Sequence, residues 1–503
     1  MASPLLYEIN ARCWLHELSS RSGAPVTLGN VPESEFALWQ RLGFTHLWLM
    51  GVWTSGPRSR AVALAVEDLK SSHLADLEGT AIAGSPYAIS DYSVPATLGG
   101  HAGLQTFRRK LHAHGMKLIL DFVPNHVGLD HPWLNERPEL FVQSAGKTPG
   151  TFAQETRDGL RWLAHGRDPY FSPWTDTAQM DYRSPATRAA MQTTLLSIAD
   201  RCDGVRCDMA MLILNDVFAK TWAKFPPFGV LPSGGPRPEP SEGETPNEEF
   251  WPDAIAATKR AHPDFLFLAE VYWDLEARLQ TLGFDYTYDK KLYDDLVRHD
   301  SRGVQERLLQ SDPRFLAASV HFLENHDEPR IASLLSSAEH RAAALLILAL
   351  PGMRLLHEGQ LTGARVKIPV QFCRRPAEDS QPANEQCYEQ LLTVLRRTAV
   401  GRGNSSILKP REAWPGNPTA QNIILIQWQS SPPEFDLVAI NLAPHRSQCY
   451  ALVTADLRGA DHWQMRDVLG SEQHERAGPE LQTRGAYLDL PDYAAQLFHF
   501  KPI

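Results

Sequence analysis

The chain has 503 residues and a formal net charge of −10. This length is too great for one small core and suits a large barrel with accessory domains. The negative charge repels nucleic acid and anionic membrane surfaces, so we expect neither as a partner.

The N-terminus, MASPLLYEIN, lacks a basic region followed by a long apolar run, and no later segment resembles a membrane span. The six cysteines show no metal-type spacing. We therefore expect reduced thiols in the cytoplasm, with no bound metal and no cofactor. The pattern does not indicate an oligomeric state.

Short apolar strands alternate with amphipathic helical stretches over most of the chain. Eight strands with intervening helices predict an α/β fold, a closed (β/α)8 TIM barrel. An open doubly wound sheet is the competitor, but it would normally carry a glycine-rich phosphate turn after an early strand, which this sequence lacks. The predicted strands are LLYEIN (5–10), THLWLM (45–50), KLILDFV (117–123), DGVRCD (203–208), FLFLAE (265–270), FDYTYD (284–289), ASVHFLEN (318–325) and MRLLHEG (353–359).

Two intervals are too long to be simple connections. Residues 128–180 follow the third strand and predict an inserted subdomain, so that the barrel comprises 1–127 and 181–402. Residues 226–250 are rich in Pro, Gly and Glu and predict a loop at the barrel rim. From residue 403 to 503 short strands and turns predict a separate all-β domain, a β-sandwich.

Acidic residues lie at the ends of several predicted strands. The ends read DFVPNH (121–126), GVRCD (204–208), LAEVYW (268–273) and ENHDEPR (324–330). In a (β/α)8 barrel the carboxyl ends of the strands face the active site. Two carboxyl groups that flank one bond are what glycoside cleavage requires, and an arginine beside one of them keeps it ionised. This interpretation makes Asp208 a chemical group and Arg206 its electrostatic partner, whereas the alternative is a buried ion pair.

These four stretches resemble, in order and spacing, the four motif regions of glycoside hydrolase family 13, the α-amylase family. The resemblance implies that Asp208 is the nucleophile, Glu270 the general acid/base and Asp327 a third carboxylate that binds sugar hydroxyls. It implies that His126, His326 and Tyr87 bind the sugar that is attacked. Asp121 would support Arg206.

The sequence also departs from the family pattern. Met211 and Leu212 stand where amylases often have Lys-His, which removes the usual leaving-group contacts. Arg330 matches an arginine that pairs with Asp in exo-acting α-glucosidases, but Ala88 stands in place of that Asp. This favours oligosaccharides that extend through the site. Asn125 matches a calcium ligand of some members, yet no further oxygen ligands stand out, so no metal is predicted.

Trp273 follows Glu270 closely and would stack on a sugar beyond the cleavage point, with rim packing as the alternative. The resemblance thus implies a retaining hydrolase or transglycosylase that acts on α-glucosidic bonds of maltooligosaccharides or related α-glucans by double displacement. The alternative is a catalytically silent barrel used for carbohydrate binding or scaffolding. A silent relative usually lacks at least one acid, whereas all three are present here.

Overall fold

A computed structural model describes residues 3–66, 69, 81–225, 248–458 and 460–503. Most of the predicted rim loop 226–250 therefore lies outside the described residues.

Eight parallel strands close into a barrel in chain order, which confirms the predicted fold class. The side chains of these strands are mostly apolar, and nearly all are buried, as in His46–Met50 and Met353–His357. The last strand pairs with the first, where Leu5 lies opposite Arg354, and this pairing closes the barrel. The strands are β1 Leu5–Asn10, β2 His46–Met50, β3 Lys117–Phe122, β4 Gly204–Cys207, β5 Leu266–Ala269, β6 Tyr286–Tyr288, β7 Ser319–His321 and β8 Met353–His357.

Helices surround the barrel and begin and end at recognisable caps. The Asn10 side chain accepts a hydrogen bond from the Cys13 N–H at the start of the first helix, and Gly23, at φ 67°, ends it. Ser336, Asp289 and Asp300 cap later helices in the same way. The barrel helices are Ala11–Ser22, Glu33–Leu42, Pro57–Ala65, Gly100–Ala113, Pro185–Ala199, Asn215–Trp222, Phe250–Ala261, Glu276–Thr281, Lys290–Val297, Ser301–Gln310, Pro313–Ala317, Ile331–Leu334, Ser337–Ala349 and Pro382–Leu395, while the short helix Trp133–Glu136 belongs to the segment after β3.

The segment after β3 forms a small antiparallel structure. Strand His126–Gly128 pairs with Thr177–Gln179 and so ties together the two ends of the insertion. Between them, Gly159–Ala164 lies between Gln143–Ser144 and Thr151–Thr156 in a three-stranded sheet. The insertion thus stands at the carboxyl end of β3, beside the rim of the barrel.

The C-terminal part is all-β except for the short helix Gly478–Thr483 and the 3-10 turn Pro418–Asn422, and it has a core of its own. Its six-stranded sheet runs in the order Asn404–Leu408, Ile423–Gln429, Phe435–Asn441, Ala495–Pro502, His462–Asp467 and Gln473–Ala477. A second sheet contains Arg411–Glu412, Ser447–Ala451 and Ala486–Leu490. Within the first sheet the rings of Phe435 and Phe500 stack at 4.5 Å, while Trp463 is buried beside them.

Within the described ranges, the helices are all too short or too polar to span a lipid bilayer. The six cysteines all lie in those ranges and form no disulfide with one another.

Gly204 begins β4 at a point where the neighbouring strands approach closely. A Cβ atom there would lie 2.7 Å from both the Leu266 carbonyl oxygen and the Ile119 Cδ1 atom. We expect Gly204→Ala to lower the free energy of unfolding by about 1–3 kcal/mol, because backbone must move to admit the methyl group. Gly146→Ala is the control, since its Cβ would meet no described atom within 4 Å. Equal thermal midpoints for the two variants would contradict this account of the packing.

Candidate active site

The Arg206 guanidinium lies at the centre of the site and is fully buried. Its Nη1 donates to Asp208 Oδ1 at 2.7 Å and its Nη2 donates to Glu270 Oε2 at 2.5 Å. A third carboxylate, that of Asp121, lies 3.6 Å from Nη1. One cation therefore binds both acids that the sequence places at neighbouring strand ends.

Backbone pairing between strand ends fixes these two acids. The Asp208 N–H donates to the Phe122 carbonyl, so the pairing of β4 with β3 continues one residue beyond β4. The Glu270 N–H donates to the Cys207 carbonyl, while the Glu270 carbonyl accepts from the Ala210 N–H. Asp208 and Glu270 thus leave adjacent strands at the same level and contact the same Arg206 guanidinium.

Three donors surround the Glu270 carboxylate. Oε2 accepts from Arg206 and from the Met209 N–H at 2.8 Å, while Oε1 accepts from the Tyr272 hydroxyl at 2.8 Å. Met209 has a left-handed backbone, φ 43°, at the turn that presents this N–H. Burial raises the pKa of Glu270 to about 7 against the opposing charge of Arg206, with the Asp208 charge adding to the rise. A carboxyl group with this pKa can hold a proton near neutral pH.

Asp208 and Asp121 are also buried. Burial raises the pKa of Asp208, while the charge and hydrogen bond of Arg206 act to lower it. Burial raises the pKa of Asp121 to about 7, again against Arg206, and Asp121 Oδ1 accepts from the Trp48 indole N–H at 3.1 Å. Asp121 therefore lies where the sequence placed it, behind Arg206.

A second charged group faces the first. His326 Nε2 lies 3.1 Å from Asp327 Oδ2 and 2.7 Å from the Tyr87 hydroxyl. Partial desolvation of Asp327 acts to raise its pKa, but the His326, Arg206 and Lys367 cations outweigh this, and the net pKa is far below the usual value. The Asp327 side chain keeps 44% of its surface exposed, which leaves it open to a ligand.

Tyr87 connects the two charged groups. Its ring stacks on His326 with the centroids 5.4 Å apart, and the Arg206 guanidinium lies 5.1 Å from the ring centroid on a cation–π contact. Tyr87 is thereby fixed by contacts to both sides of the predicted site.

His126 is buried at the start of the insertion, and its ring lies 5.1 Å from that of Trp174. Burial lowers the pKa of His126 to about 4, so its imidazole is neutral at neutral pH. A neutral imidazole can both donate and accept a hydrogen bond.

Arg330 belongs to a different set of contacts. Its Nη1 donates to Glu324 Oε1 at 2.8 Å and to the Glu358 carbonyl at 2.6 Å, and lies 2.9 Å from His357 Nδ1. Ala88 is buried. The Arg330 guanidinium is therefore held by the barrel itself, and its contact with substrate stays a prediction.

Trp273 lies at the rim together with residues of the insertion. Its backbone has φ 65°, an unusual value for a large side chain. The Tyr170 ring packs edge-on against it with the centroids 4.9 Å apart. Tyr170 and Phe171 are 63% and 74% exposed, and the Asp168 carboxylate holds their turn by accepting both backbone N–H groups.

The side-chain oxygen of Asn125, the atom that would bind calcium, accepts a hydrogen bond from another side chain. Its Oδ1 accepts a hydrogen bond from Gln179 Nε2 at 2.9 Å. In the part of the chain that the structure describes, no group of three or more His, Cys, Asp or Glu side chains could hold a metal ion.

The sequence interpretation missed three side chains that touch this site. They are Glu8 on β1, which contacts His326, Tyr272, which donates to Glu270, and Lys367, which donates to the Asp327 carbonyl. Glu8 could have been found from the sequence, because it is an acid within the apolar strand LLYEIN, like the acids singled out in the other strands. Tyr272 and Lys367 carried no such signal, because their roles depend on where loops fold back.

Comparison with known proteins matches residues 36–387 to the catalytic-domain model of the α-amylase family. Alpha-amylase 3 of Dictyoglomus thermophilum is 21% identical over 341 residues, 63% of this chain and 61% of the relative. Alpha-amylase MalA of Haloarcula japonica is 26% identical over 290 residues, 56% of this chain and 36% of the relative. The chain therefore spans less than two thirds of the length of these relatives.

Solved structures show the same fold. The maltogenic alpha-amylase AmyB from Thermotoga neapolitana superposes with a TM-score of 0.67 at 17% identity, over 99% of each chain. An alpha-amylase from Lactobacillus plantarum gives 0.67 at 20% identity, again over 99% of each chain. At such identities the likeness concerns the fold.

Arg206→Met removes the shared cation and leaves two buried carboxylates side by side. We expect the free energy of unfolding at pH 7.5 to fall by about 3–5 kcal/mol, because an uncompensated buried charge remains. The carboxyl pKa values rise further in the folded variant, so the loss is present above the unfolded pKa values and shrinks as pH falls towards them. Thermal unfolding at pH 7.5 and 5 measures both effects.

Arg302→Met is the control, because Arg302 forms an exposed ion pair with Glu306. It should leave the thermal midpoint near that of the wild type at both pH values. A loss for Arg206→Met that stays constant with pH would contradict the shared-cation interpretation.

Proposed function

Because the chain belongs to the α-amylase family, glycoside hydrolase family 13, we propose that it is a retaining glycosidase of α-glucosidic bonds. Its substrates are maltooligosaccharides or related α-glucans. The observation that carries this proposal is the single guanidinium of Arg206 bound to both Asp208 and Glu270. This shared contact supports the inference that the two acids act on the same bond.

The two acids have different tasks in this mechanism. Glu270 gives its proton to the glycosidic oxygen while an Asp208 oxygen bonds to the anomeric carbon, and the aglycone leaves as an alcohol. Glu270, now ionised, takes a proton from water, whose oxygen displaces Asp208 from the anomeric carbon. Arg206 favours the ionised form of Asp208, and the raised pKa of Glu270 supports a protonated acid at the start of the cycle.

The remaining residues hold the sugar. Asp327, which is partly exposed, accepts hydrogen bonds from sugar hydroxyls, and His326 supplies a donor beside it. His126, at the start of the insertion, supplies a further donor. The Tyr87 ring gives the sugar an apolar face, fixed in place by Arg206 and His326. These contacts can strengthen as the ring distorts towards the transition state.

Beyond the cleavage point, Trp273, Tyr170 and Phe171 form an aromatic rim. Two of them are largely exposed, which suits stacking of a glucosyl unit on the leaving-group side. A sugar held there could accept the glycosyl group in place of water. We therefore include transglycosylation beside hydrolysis in the proposed activity.

For the compartment we propose the cytoplasm. The support is that the six cysteines form no disulfide with one another, and thiols persist where glutathione and thioredoxin keep them reduced.

The proposed reaction is tested by the configuration of its first product. We expect digestion of maltooligosaccharides to release the α-anomer first, because two displacements at one carbon restore its configuration. Proton NMR of the anomeric signals within minutes of mixing measures it, and chromatography with starch, sucrose and trehalose defines the linkage. Release of the β-anomer would overturn double displacement. Binding of α-glucans without any product would instead support the silent barrel.

Substitution of the two acids separates their roles. Asp208→Ala should lower kcat by several powers of ten on every α-glucoside while substrate binding persists, because no glycosyl-enzyme bond can form. Glu270→Gln should lose activity on maltooligosaccharides but recover much of it, in the first step, on α-glucosyl fluoride, whose leaving group needs no proton. In the wild type, kcat/KM on maltooligosaccharides should fall as pH rises through about 7, as Glu270 loses its proton. Near-normal turnover by Asp208→Ala would contradict the mechanism.

A further inference from the structure

Glu8 is a fully buried acid on β1 that the mechanism above does not use. Its Oε1 lies 2.5 Å from His326 Nδ1, although 318 residues separate the two in the chain. Its other oxygen, Oε2, is buried and has no hydrogen-bond partner among the described residues. His326 is therefore the contact that compensates the Glu8 carboxylate.

The opposite nitrogen of the same ring also faces an acid. His326 Nε2 lies 3.1 Å from Asp327 Oδ2 and 2.7 Å from the Tyr87 hydroxyl. An ionised carboxylate only accepts hydrogen bonds, and a neutral imidazole has a single N–H to donate. A proton on each ring nitrogen, one facing Glu8 and one facing Asp327, would make His326 a cation.

The burial of Glu8 favours this arrangement. A buried carboxylate without an opposite charge is strongly destabilising, and an imidazolium between two carboxylates compensates both. Burial alone lowers the pKa of His326, but Asp327 and Glu8 outweigh it and raise the pKa to about 10. The titratable groups that face His326 from neighbouring elements are Glu8 on β1, Tyr87 after β2, Asp121 on β3, Asp208 after β4, Asp327 in its own loop and His357 on β8, with Arg206 on β4 behind Tyr87.

We propose that Glu8 is a positioning residue that keeps His326 doubly protonated, with its Nε2–H directed to Asp327 and to the sugar bound there. Glu8 does not reach the substrate itself and acts only through the far nitrogen of the ring. The role in sugar binding rests on the proposed function, whereas the protonation of His326 does not. Without the Glu8 charge, His326 would lose a proton at a lower pH, and the positive charge beside Asp327 would be lost with it.

The test is Glu8→Gln, which keeps the shape of the side chain and removes its charge. The first readout is the titration of His326 by NMR on protein labelled at the histidine ring carbon, with its signal assigned by its loss in His326→Gln. We expect the wild-type ring to titrate near pH 10 and the variant about 1–3 pH units lower. Glu8→Asp keeps the charge and should recover part of the shift.

The second readout is kcat/KM on α-maltosyl fluoride as a function of pH. Fluoride leaves without protonation, so the decline at alkaline pH does not report the acid form of Glu270. We expect Glu8→Gln to move this decline to lower pH by the same about 1–3 units, with KM rising where His326 is neutral.

Glu339→Gln is the matched control, because Glu339 forms a 2.5 Å pair with His299 on the helix Ser337–Ala349, away from the site. It should change neither the His326 titration nor the pH profile. An unchanged His326 titration in Glu8→Gln, or an equal shift in Glu339→Gln, would overturn the proposal. If the wild type cleaves no α-glucoside, the proposed function fails, and the NMR titration alone still decides the role of Glu8.

Discussion

The buried guanidinium of Arg206 is the interaction on which the site depends. Two acids buried on adjacent strands would repel each other if both were ionised. A cation that donates to both lets them lie side by side, and its planar fork suits two carboxylates at once. The parallel barrel makes this possible, since β4 and β5 end at the same level.

A second cation, His326, repeats the arrangement on the opposite side of the cleft. It lies between Glu8 and Asp327 as Arg206 lies between Asp208 and Glu270. Tyr87 separates the two cations, and it stacks on His326 and faces Arg206 with its ring. Each buried acid thus lies beside a cation that compensates its charge. Asp327, which is partly exposed, stays ionised.

The parts outside the barrel complete the cleft and support its rear. The insertion after β3 brings Tyr170 against Trp273, and so joins two distant segments at the rim. The C-terminal sheet contacts the barrel through the Trp428 indole, which donates to the Ala349 carbonyl at the end of a buried helix. The insertion therefore contacts the barrel at the loop after β5, and the C-terminal sheet contacts it at the helix before β8.

Much of the fold could be predicted from the sequence, because strand and helix patterns are local. Short apolar runs, separated by helical stretches that glycine or proline ends, predict eight strands in the right places. The same logic placed Asp208, Glu270 and Asp327 at strand ends. The chemical type of a residue and its position near the end of a strand were enough to single out these three acids as candidates, while their separate roles came from the family resemblance and stay predictions.

Only the tertiary structure decided which charges meet. The pairing of Glu8 with His326 and of Arg330 with Glu324 depends on which strands and loops become neighbours when the barrel closes. The pKa of Glu270, likewise, depends on burial and on the balance of Arg206 against Asp208. Sequence patterns report the local preference of the backbone, whereas the energies of buried charges depend on distances across the folded chain.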